Sequence, residues 1–174
     1  MPVGCLKLIS IDLRNARLRI LDLHLAPNLE KLILVECNDL EELHIPSRCL
    51  NHEYLLLSNS KLRTLDIGLT PNLKYLDLKS SYYLEELHMA DQCQKLTNLD
   101  TSHSKLRTLD LRLTPNLKGL DLSYCCISDV GTGLEDLGKV GEASSSIDGD
   151  TKHASIHNHE NTRLNRFLRL SQPI

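Results

Sequence analysis

Aromatic side chains are scarce in this chain of 174 residues, which has no tryptophan, one phenylalanine and five tyrosines. We therefore expect neither a core built on large rings nor a surface on which nucleic-acid bases stack. The net charge is −3, so bulk electrostatics attract neither nucleic acid nor anionic lipid. No stretch reaches the roughly 20 apolar residues of a membrane span, and no transmembrane segment is predicted.

Signals for secretion are also missing. The first residues lack the uninterrupted apolar run of a signal peptide. Six cysteines are present, but Cys5, Cys49 and Cys93 are spaced 44 residues apart and occupy one repeated position. We interpret this as a structural position and not as a disulfide pairing scheme. A reducing compartment is expected, either the cytoplasm or the nucleus.

Leucine in a long repeat takes the place of these features. Residues 61–78, KLRTLDIGLTPNLKYLDL, match residues 105–122, KLRTLDLRLTPNLKGLDL, at 15 of 18 positions. A more diverged copy spans residues 17–34. Each 44-residue block divides into two leucine-spaced halves, whose central apolar residues are Ile11, Leu32, Leu55, Leu76, Leu99 and Leu120. These six units average 22 residues, which is a leucine-rich repeat period.

The repeat predicts an α/β leucine-rich repeat solenoid over residues 1–126. In such a fold one short strand per turn stacks in parallel on the next, and the chain returns along the convex side. We expect a curved parallel sheet, about six repeats, and a convex side that is mostly irregular or short-helical. A small polar or thiol residue is expected where each unit leaves the sheet, at Asn15–Ala16, Cys37, Ser60, Ser81, Ser104 and Cys125.

A second set of leucines fits the strand template as well. This set is evenly spaced by 22 residues, at Leu21, Leu43, Leu65, Leu87 and Leu109. We prefer the first set as the strands, because only the first is followed by the small turn residue. Proline follows soon after the second set, at Pro27, Pro46, Pro71 and Pro115, and proline suits a chain reversal better than a central strand.

The two ends of the sequence depart from the repeat. The chain begins halfway through a unit without a polar cap, from which we expect a fragment or a gene model that lacks upstream exons. Residues 127–141 are predicted to form a terminal turn or short helix. Residues 142–174 are rich in Ser, Asp, Asn and His, and a disordered polar tail is predicted there.

Residues 27–50, PNLEKLILVECNDLEELHIPSRCL, resemble the leucine-rich repeats of plant intracellular immune receptors, the TIR-NBS-LRR or NLR class of disease-resistance proteins. The resemblance extends over about residues 2–126. It implies a role in plant defense signalling, in which the domain senses a pathogen effector or a guarded host protein, or contacts the NBS portion of the same receptor to hold it inactive. It does not imply catalysis here, because the chain has no G-x-x-x-x-G-K-[ST] phosphate loop. We expect a non-enzymatic protein-binding module without a cofactor.

Two alternatives remain open. Residues 120–137, LDLSYCCISDVGTGLEDL, resemble the cysteine-containing repeats of F-box proteins, which are substrate adaptors for ubiquitination. Only this unit fits that pattern, and no F-box helices are present. The other alternative is a non-functional fragment of a receptor gene.

Neither histidine nor cysteine spacing predicts a reactive site. His153 and His157 have the i, i+4 spacing of two zinc ligands on a helix, with His159 nearby. The surrounding polar sequence gives no support for a helix, and no metal site is predicted. Cys125 and Cys126 are adjacent, and we interpret Cys125 as a turn residue and not as half of a redox pair.

Recognition is expected on the concave side of the sheet. Outward residues of successive strands form columns, and the partner-binding candidates are Lys31, Ile33, Tyr54, Leu56, Tyr75, Asp77, Asn98, Asp100 and Asp121. Tyr54, Leu56 and Tyr75 would form an apolar anchor. The three aspartates, about 4.8 Å apart, would repel one another by roughly 1 kcal/mol per neighbouring pair in water. Either a cationic partner relieves this repulsion, or Lys74, Lys79 and Lys118 screen it.

Overall fold

The part of the chain that the structure describes forms a parallel β-solenoid of about five turns with almost no helix. The computed structural model describes residues 5–46, 49–89, 93–125 and 127, together with the backbone of 147–148, 151–152 and 155–156. The strands of the repeat region are β1 (Ser10–Asp12), β2 (Ile20–Asp22), β3 (Lys31–Ile33), β4 (Glu42–His44), β5 (Tyr54–Leu56), β6 (Thr64–Asp66), β7 (Tyr75–Asp77), β8 (Glu86–His88), β9 (Asn98–Asp100) and β10 (Gly119–Asp121).

The first set of leucines forms the main sheet. Strands β1, β3, β5, β7, β9 and β10 pair in that order and in parallel, with Ile11 opposite Leu32 and Leu76 opposite Leu99. We call this the long sheet. The six strand centres and their register, predicted from the leucine spacing, are confirmed.

Four leucines of the second set, Leu21, Leu43, Leu65 and Leu87, are also at the centres of strands, which the sequence analysis did not expect. Strands β2 and β4 pair in parallel, and so do β6 and β8. The expected short-helical convex side and the α/β class are not supported by the described residues, whose helical structure is a single 3-10 turn at Leu111–Leu113. Segments of seven to nine residues separate consecutive strands in the first eight, which leaves no room for a helix of ordinary length. Leucine-x-leucine alternation favours extended backbone on both sides.

The prolines that argued against these outer strands lie beyond them. Pro27 is five residues after the end of β2, and Pro71 is five residues after the end of β6. Both are in turns, where a missing backbone N–H interrupts no strand pairing. The proline pattern therefore marks the reversal between an outer strand and the next strand of the long sheet.

Leucines fill the interior of every complete turn. In the second turn Leu29, Leu32, Leu34 and Leu40 are fully buried, and the same positions of the neighbouring turns belong to one continuous cluster. Each turn is too small to enclose a core alone, so its leucines are buried against the turns before and after it. Leu13, in the first described turn, is 37% exposed, whereas Leu34 at the same position of the next turn is fully buried.

A residue in the left-handed backbone conformation lies three residues after the end of every strand of the long sheet. The six residues with positive φ, between 57° and 61°, are Asn15, Glu36, Asn59, Ser80, His103 and Tyr124. Each immediately precedes the predicted small residue, and those at Cys37, Ser60, Ser81 and Ser104 are buried. The predicted turn position is thus confirmed, because a small side chain fits inside the corner that the left-handed residue creates.

Polar side chains connect successive turns at repeated positions. The Asn28 amide donates to the Leu6 carbonyl at 2.8 Å, and Asn116 donates to Gln94 at 2.7 Å. Inside the corner, the Ser60 and Ser81 hydroxyls lie 3.3 Å apart, and the Cys37 thiol donates to the Leu13 carbonyl. These bonds satisfy backbone and side-chain groups that burial removes from water. Cys5, Cys37, Cys49 and Cys125 are free thiols.

The predicted terminal turn (127–141) and polar tail (142–174) lie almost entirely outside the described residues. Three two-residue strands are described there, β11 (Ile147–Asp148), β12 (Thr151–Lys152) and β13 (Ser155–Ile156). Strand β13 pairs antiparallel with β10, at the end of the long sheet.

One histidine replaces an inward leucine. His52 occupies the position of Leu29 and Leu73 in the neighbouring turns, three residues before the strand centre. It is fully buried, and neither ring nitrogen has a hydrogen-bond partner. Burial lowers the pKa of His52 to about 4. The imidazole therefore stays neutral in the native protein, and its unpaired nitrogens reduce stability.

Leu76→Ala should lower the free energy of unfolding by about 2–5 kcal/mol, because Leu76 is fully buried at the centre of β7. The matched control is Leu50→Ala, whose side chain is exposed. Urea denaturation of both variants measures the difference. Equal effects at the two positions would contradict the assignment of the core.

His52→Leu should stabilise the protein at pH 7 and reduce its sensitivity to acid. With a native pKa of about 4 against the ordinary 6.5, the unfolded chain binds a proton more readily, so stability is lost as pH falls from 6.5 to 4. The full loss is about 3 kcal/mol. Urea denaturation between pH 7.5 and 4 checks this, and parallel pH profiles of wild type and variant would refute it.

Candidate functional site

The predicted recognition residues lie on the outward side of the long sheet in two columns. In the first column Lys31, Tyr54, Tyr75 and Asn98 are opposite one another on successive strands. The second column consists of Ile33, Leu56, Asp77, Asp100 and Asp121. The structure thus brings all nine candidates onto one continuous face, which we call the recognition face.

Exposure differs along this face. Tyr54 is 37% exposed and Tyr75 is half-buried, whereas Ile33 and Leu56 are only 4% and 6% exposed. Of the expected apolar anchor, Tyr54 and part of Tyr75 are therefore accessible to a partner.

The aspartates of the second column have a structural role that the sequence analysis missed. Each accepts a hydrogen bond from the backbone N–H two residues later: Asp77 from Lys79, Asp100 from Ser102 and Asp121 from Ser123, all at 2.9 Å. These bonds hold the turn that leads to the left-handed residue. The signal was present in the sequence, because aspartate at the end of a strand commonly forms such a turn. Each bond uses one carboxylate oxygen, Oδ1.

Asp77, the first of the three aspartates, carries an unfavourable charge. Burial, and secondly the charge of Asp100, raise the pKa of Asp77 to about 6, although the hydrogen bond from Lys79 opposes this change. Burial, together with Asp77 and Asp100, raises the pKa of Tyr75 to about 12. The middle of the recognition face therefore disfavours further negative charge, and a cationic group bound there would stabilise the Asp77 carboxylate.

The three lysines expected to screen the acidic column differ in how much of their charge acts on it. Lys74 donates to Glu53 at 2.7 Å, so its charge is largely directed to that carboxylate. Lys79 lowers the pKa of Asp77, but this is the smallest of the four contributions to that pKa. Lys118 is exposed. Screening within the chain is thus partial.

The outer strands carry a second, regular arrangement of charge. Arg19 pairs with Glu41 at 2.6 Å, and Arg63 approaches Glu85 at 3.9 Å. In the adjacent column Asp22 is opposite His44, and Asp66 is opposite His88. Basic and acidic residues therefore alternate from turn to turn, and these exposed pairs contribute little to stability individually.

An open pocket of about 320 Å³ lies beside β8, at the end of the outer strands. Its polar lining consists mainly of His88, Thr108, Asp110 and Arg112. His88 pairs with Glu86 at 3.1 Å, and Arg112 binds the Asp110 carboxylate through two hydrogen bonds. The Arg112 and Asp110 side chains of the lining therefore pair with each other.

Among the residues that the structure describes, no group of three or more His, Cys, Asp and Glu side chains is arranged to hold a metal ion. The histidines considered for zinc, at 153, 157 and 159, lie outside them. No helix in the described ranges is long and apolar enough to cross a membrane.

Comparison with known proteins gives no assignment. No family model matches this chain, and no curated protein matches it significantly.

Asp77→Asn should stabilise the protein by about 1–3 kcal/mol above pH 7, because it removes a poorly solvated charge and keeps an oxygen that can accept the Lys79 N–H. The native pKa of about 6 exceeds the ordinary 3.8, so the wild type loses stability as pH rises from 3.8 through 6. The gain of the variant should therefore appear over that interval and vanish below it.

Asp66→Asn is the matched control, because exposed Asp66 accepts the same kind of bond, from Gly68. Urea denaturation across pH 3.5–8 compares the two variants. If both change stability equally, the burial of Asp77 is not the cause.

Proposed function

We propose that this chain is a non-enzymatic protein-recognition module that binds its partner on the recognition face. The observation that supports the proposal is the parallel register that places Tyr54 beside Tyr75 and aligns Asp77, Asp100 and Asp121 on neighbouring strands. A partly exposed aromatic centre beside charged groups is a common composition of protein interfaces. A flat or curved sheet of this kind also suits a protein ligand better than a small molecule, which needs an enclosed cavity.

A partner with a basic segment fits this face best. The free Oδ2 atoms of the three aspartates and the raised pKa of Asp77 both favour a positively charged group. Lysine or arginine side chains of the partner would lie along the acidic column, while an apolar side chain contacts Tyr54. Binding should then release a proton from Asp77 near pH 6.

The resemblance to plant NLR repeats supplies a biological context for the proposal. In that context the partner is a pathogen effector, a guarded host protein or the NBS portion of the same receptor, and the module acts in disease resistance. The support is the leucine and cysteine pattern of residues 27–50 together with the solenoid fold. The location proposed for such a role is the cytoplasm or the nucleus.

Tyr54→Ala and Tyr75→Ala should each weaken partner binding by about 1–3 kcal/mol, because they remove aromatic contact area from the centre of the face. Asp100→Asn should mainly slow association and reduce its dependence on salt. A protein captured from plant extract by the immobilised chain supplies the partner, and surface plasmon resonance supplies the rates.

Alanine substitutions of Arg63 and Arg107 are the controls, since both arginines are exposed on the outer strands' side. Thermal melts establish that each variant is folded. A partner whose binding depends on Arg63 and Arg107, but is unaffected at Tyr54, Tyr75 and Asp100, would place recognition on the opposite side.

A further inference from the structure

Three of the five tyrosines gather where the chain leaves the long sheet. Tyr82 and Tyr83 follow the left-handed residue after β7, while His103 and Tyr124 are themselves the left-handed residues after β9 and β10. We call Tyr82, Tyr83, His103 and Tyr124, with the neighbouring Lys105, the aromatic corner. Tyr82, His103 and Tyr124 are each 21 residues apart, so a repeat of this length brings together rings that are rare in the composition.

The rings form a continuous row over three turns. Tyr124 stacks on His103 with centroids 4.4 Å apart and planes at 12°, and Tyr82 meets His103 edge-on at 6.4 Å and 65°. The Lys105 ammonium lies 5.8 Å from the centre of the Tyr83 ring. Tyr82, Tyr83 and Tyr124 are 56%, 46% and 62% exposed, and none of them belongs to the core.

The backbone does not favour large rings at these positions. His103 and Tyr124 both have φ of 60°, which is uncommon for residues other than glycine and least costly for asparagine and aspartate. Asparagine stands at the same position in two other turns, as Asn15 and Asn59. The rings contribute nothing to the leucine core, so a binding role is a reason for their presence that packing does not provide.

We propose that the aromatic corner is a second interaction surface, separate from the recognition face, that binds a proline-rich peptide with acidic residues in the polyproline II conformation. Tyr82 and Tyr124 flank His103, with ring centroids 6.4 Å and 4.4 Å from the His103 centroid, so the two tyrosine centroids are at most about 11 Å apart. A polyproline II helix repeats every three residues, about 9.3 Å. Prolines three residues apart can therefore contact Tyr82 and Tyr124 at once, and exposed aromatic rows are the surfaces that recognise such peptides.

The positive charge of lysines near the aromatic corner is the reason that the proposed peptide contains acidic residues. Lys79 and Lys105 are exposed, and neither takes part in an ion pair among the described residues. Lys61, nearby in the preceding turn, is already paired with Asp39 at 3.0 Å. Carboxylates on the flank of the peptide, beside the prolines that contact the rings, can pair with Lys79 and Lys105, which gives the surface its charge complementarity.

Single-stranded nucleic acid fits the same corner less well. His103 and Tyr124 are stacked directly on each other, which leaves no space for a base between them. An oligonucleotide is therefore the alternative outcome of the test.

The experiment is a heteronuclear NMR titration of the full chain with a nine-residue peptide made of three Pro-Pro-Glu units. Shifts should be confined to the aromatic corner, and Tyr82→Asn and Tyr124→Asn should each weaken binding about 5- to 10-fold. Both substitutions introduce residues that the repeat already has at equivalent positions, Asn38 and Asn59, so the fold should be retained. Thermal melts verify this for each variant.

Three controls test whether binding is specific to the aromatic corner and to the proline and glutamate residues of the peptide. Tyr54→Ala on the recognition face should leave the affinity for this peptide unchanged. Lys105→Gln should weaken the glutamate peptide more than a nine-residue polyproline peptide. A peptide with alanine in place of every proline should bind at least 10-fold more weakly. The proposal is overturned if millimolar peptide causes no shifts, if binding ignores Tyr82 and Tyr124, or if oligothymidylate binds this corner and the proline peptide does not.

Discussion

Burial of leucine between successive turns is the constraint on which this structure depends. A turn of about 22 residues cannot enclose a core, and three-residue strands have too few hydrogen bonds to persist alone. Leu32, Leu55 and Leu76 are fully buried because each is covered by the turn before and the turn after. The inward positions must therefore repeat in register, and the remaining positions are free to differ from turn to turn.

The same constraint explains how far the sequence predicts the fold. Leucines at fixed spacing identified the long sheet, its register and the small corner residues, because a wrong inward residue is costly in every turn. The outer strands were not predicted, because L-R-T-L-D-I fits both a strand and an irregular convex segment. The prolines that follow favoured the convex segment, which was misleading. Strand identity at Thr64–Asp66 depends on pairing with β8, a contact that no local pattern shows.

The sequence predicted which candidate residues share one face, but not how exposed each side chain is or which hydrogen bonds it makes. Periodicity placed Tyr54, Tyr75 and Asp77 on one face, yet it did not distinguish accessible Tyr54 from buried Leu56. It also treated the aspartates only as charges that repel one another, although one oxygen of each accepts a hydrogen bond that holds a turn. The sequence analysis did not single out His52, which the fold places at a position that other turns fill with leucine. Burial depends on neighbours from other turns, so these properties follow only from the assembled solenoid.

The 44-residue double repeat has a physical cause on the outer side. Successive turns stack residues 22 apart, so a strict 22-residue repeat would place arginine on arginine along this column. Instead the column alternates as Arg19, Glu41, Arg63, Glu85 and Arg107, and its neighbours form ion pairs within the chain. The side with the long sheet does not alternate in this way, because Asp77, Asp100 and Asp121 place like charges on adjacent strands.

One side of the solenoid is therefore neutralised internally, while the other keeps uncompensated charge and exposed tyrosine. A surface whose charges already have partners gains little from binding, since each new contact must replace an existing one. A surface with a repelled carboxylate at Asp77 and accessible rings at Tyr54, Tyr82 and Tyr124 gains from a complementary ligand. The difference between the two sides, and not the leucine repeat they share, is the reason that we propose recognition at the long sheet and its corner.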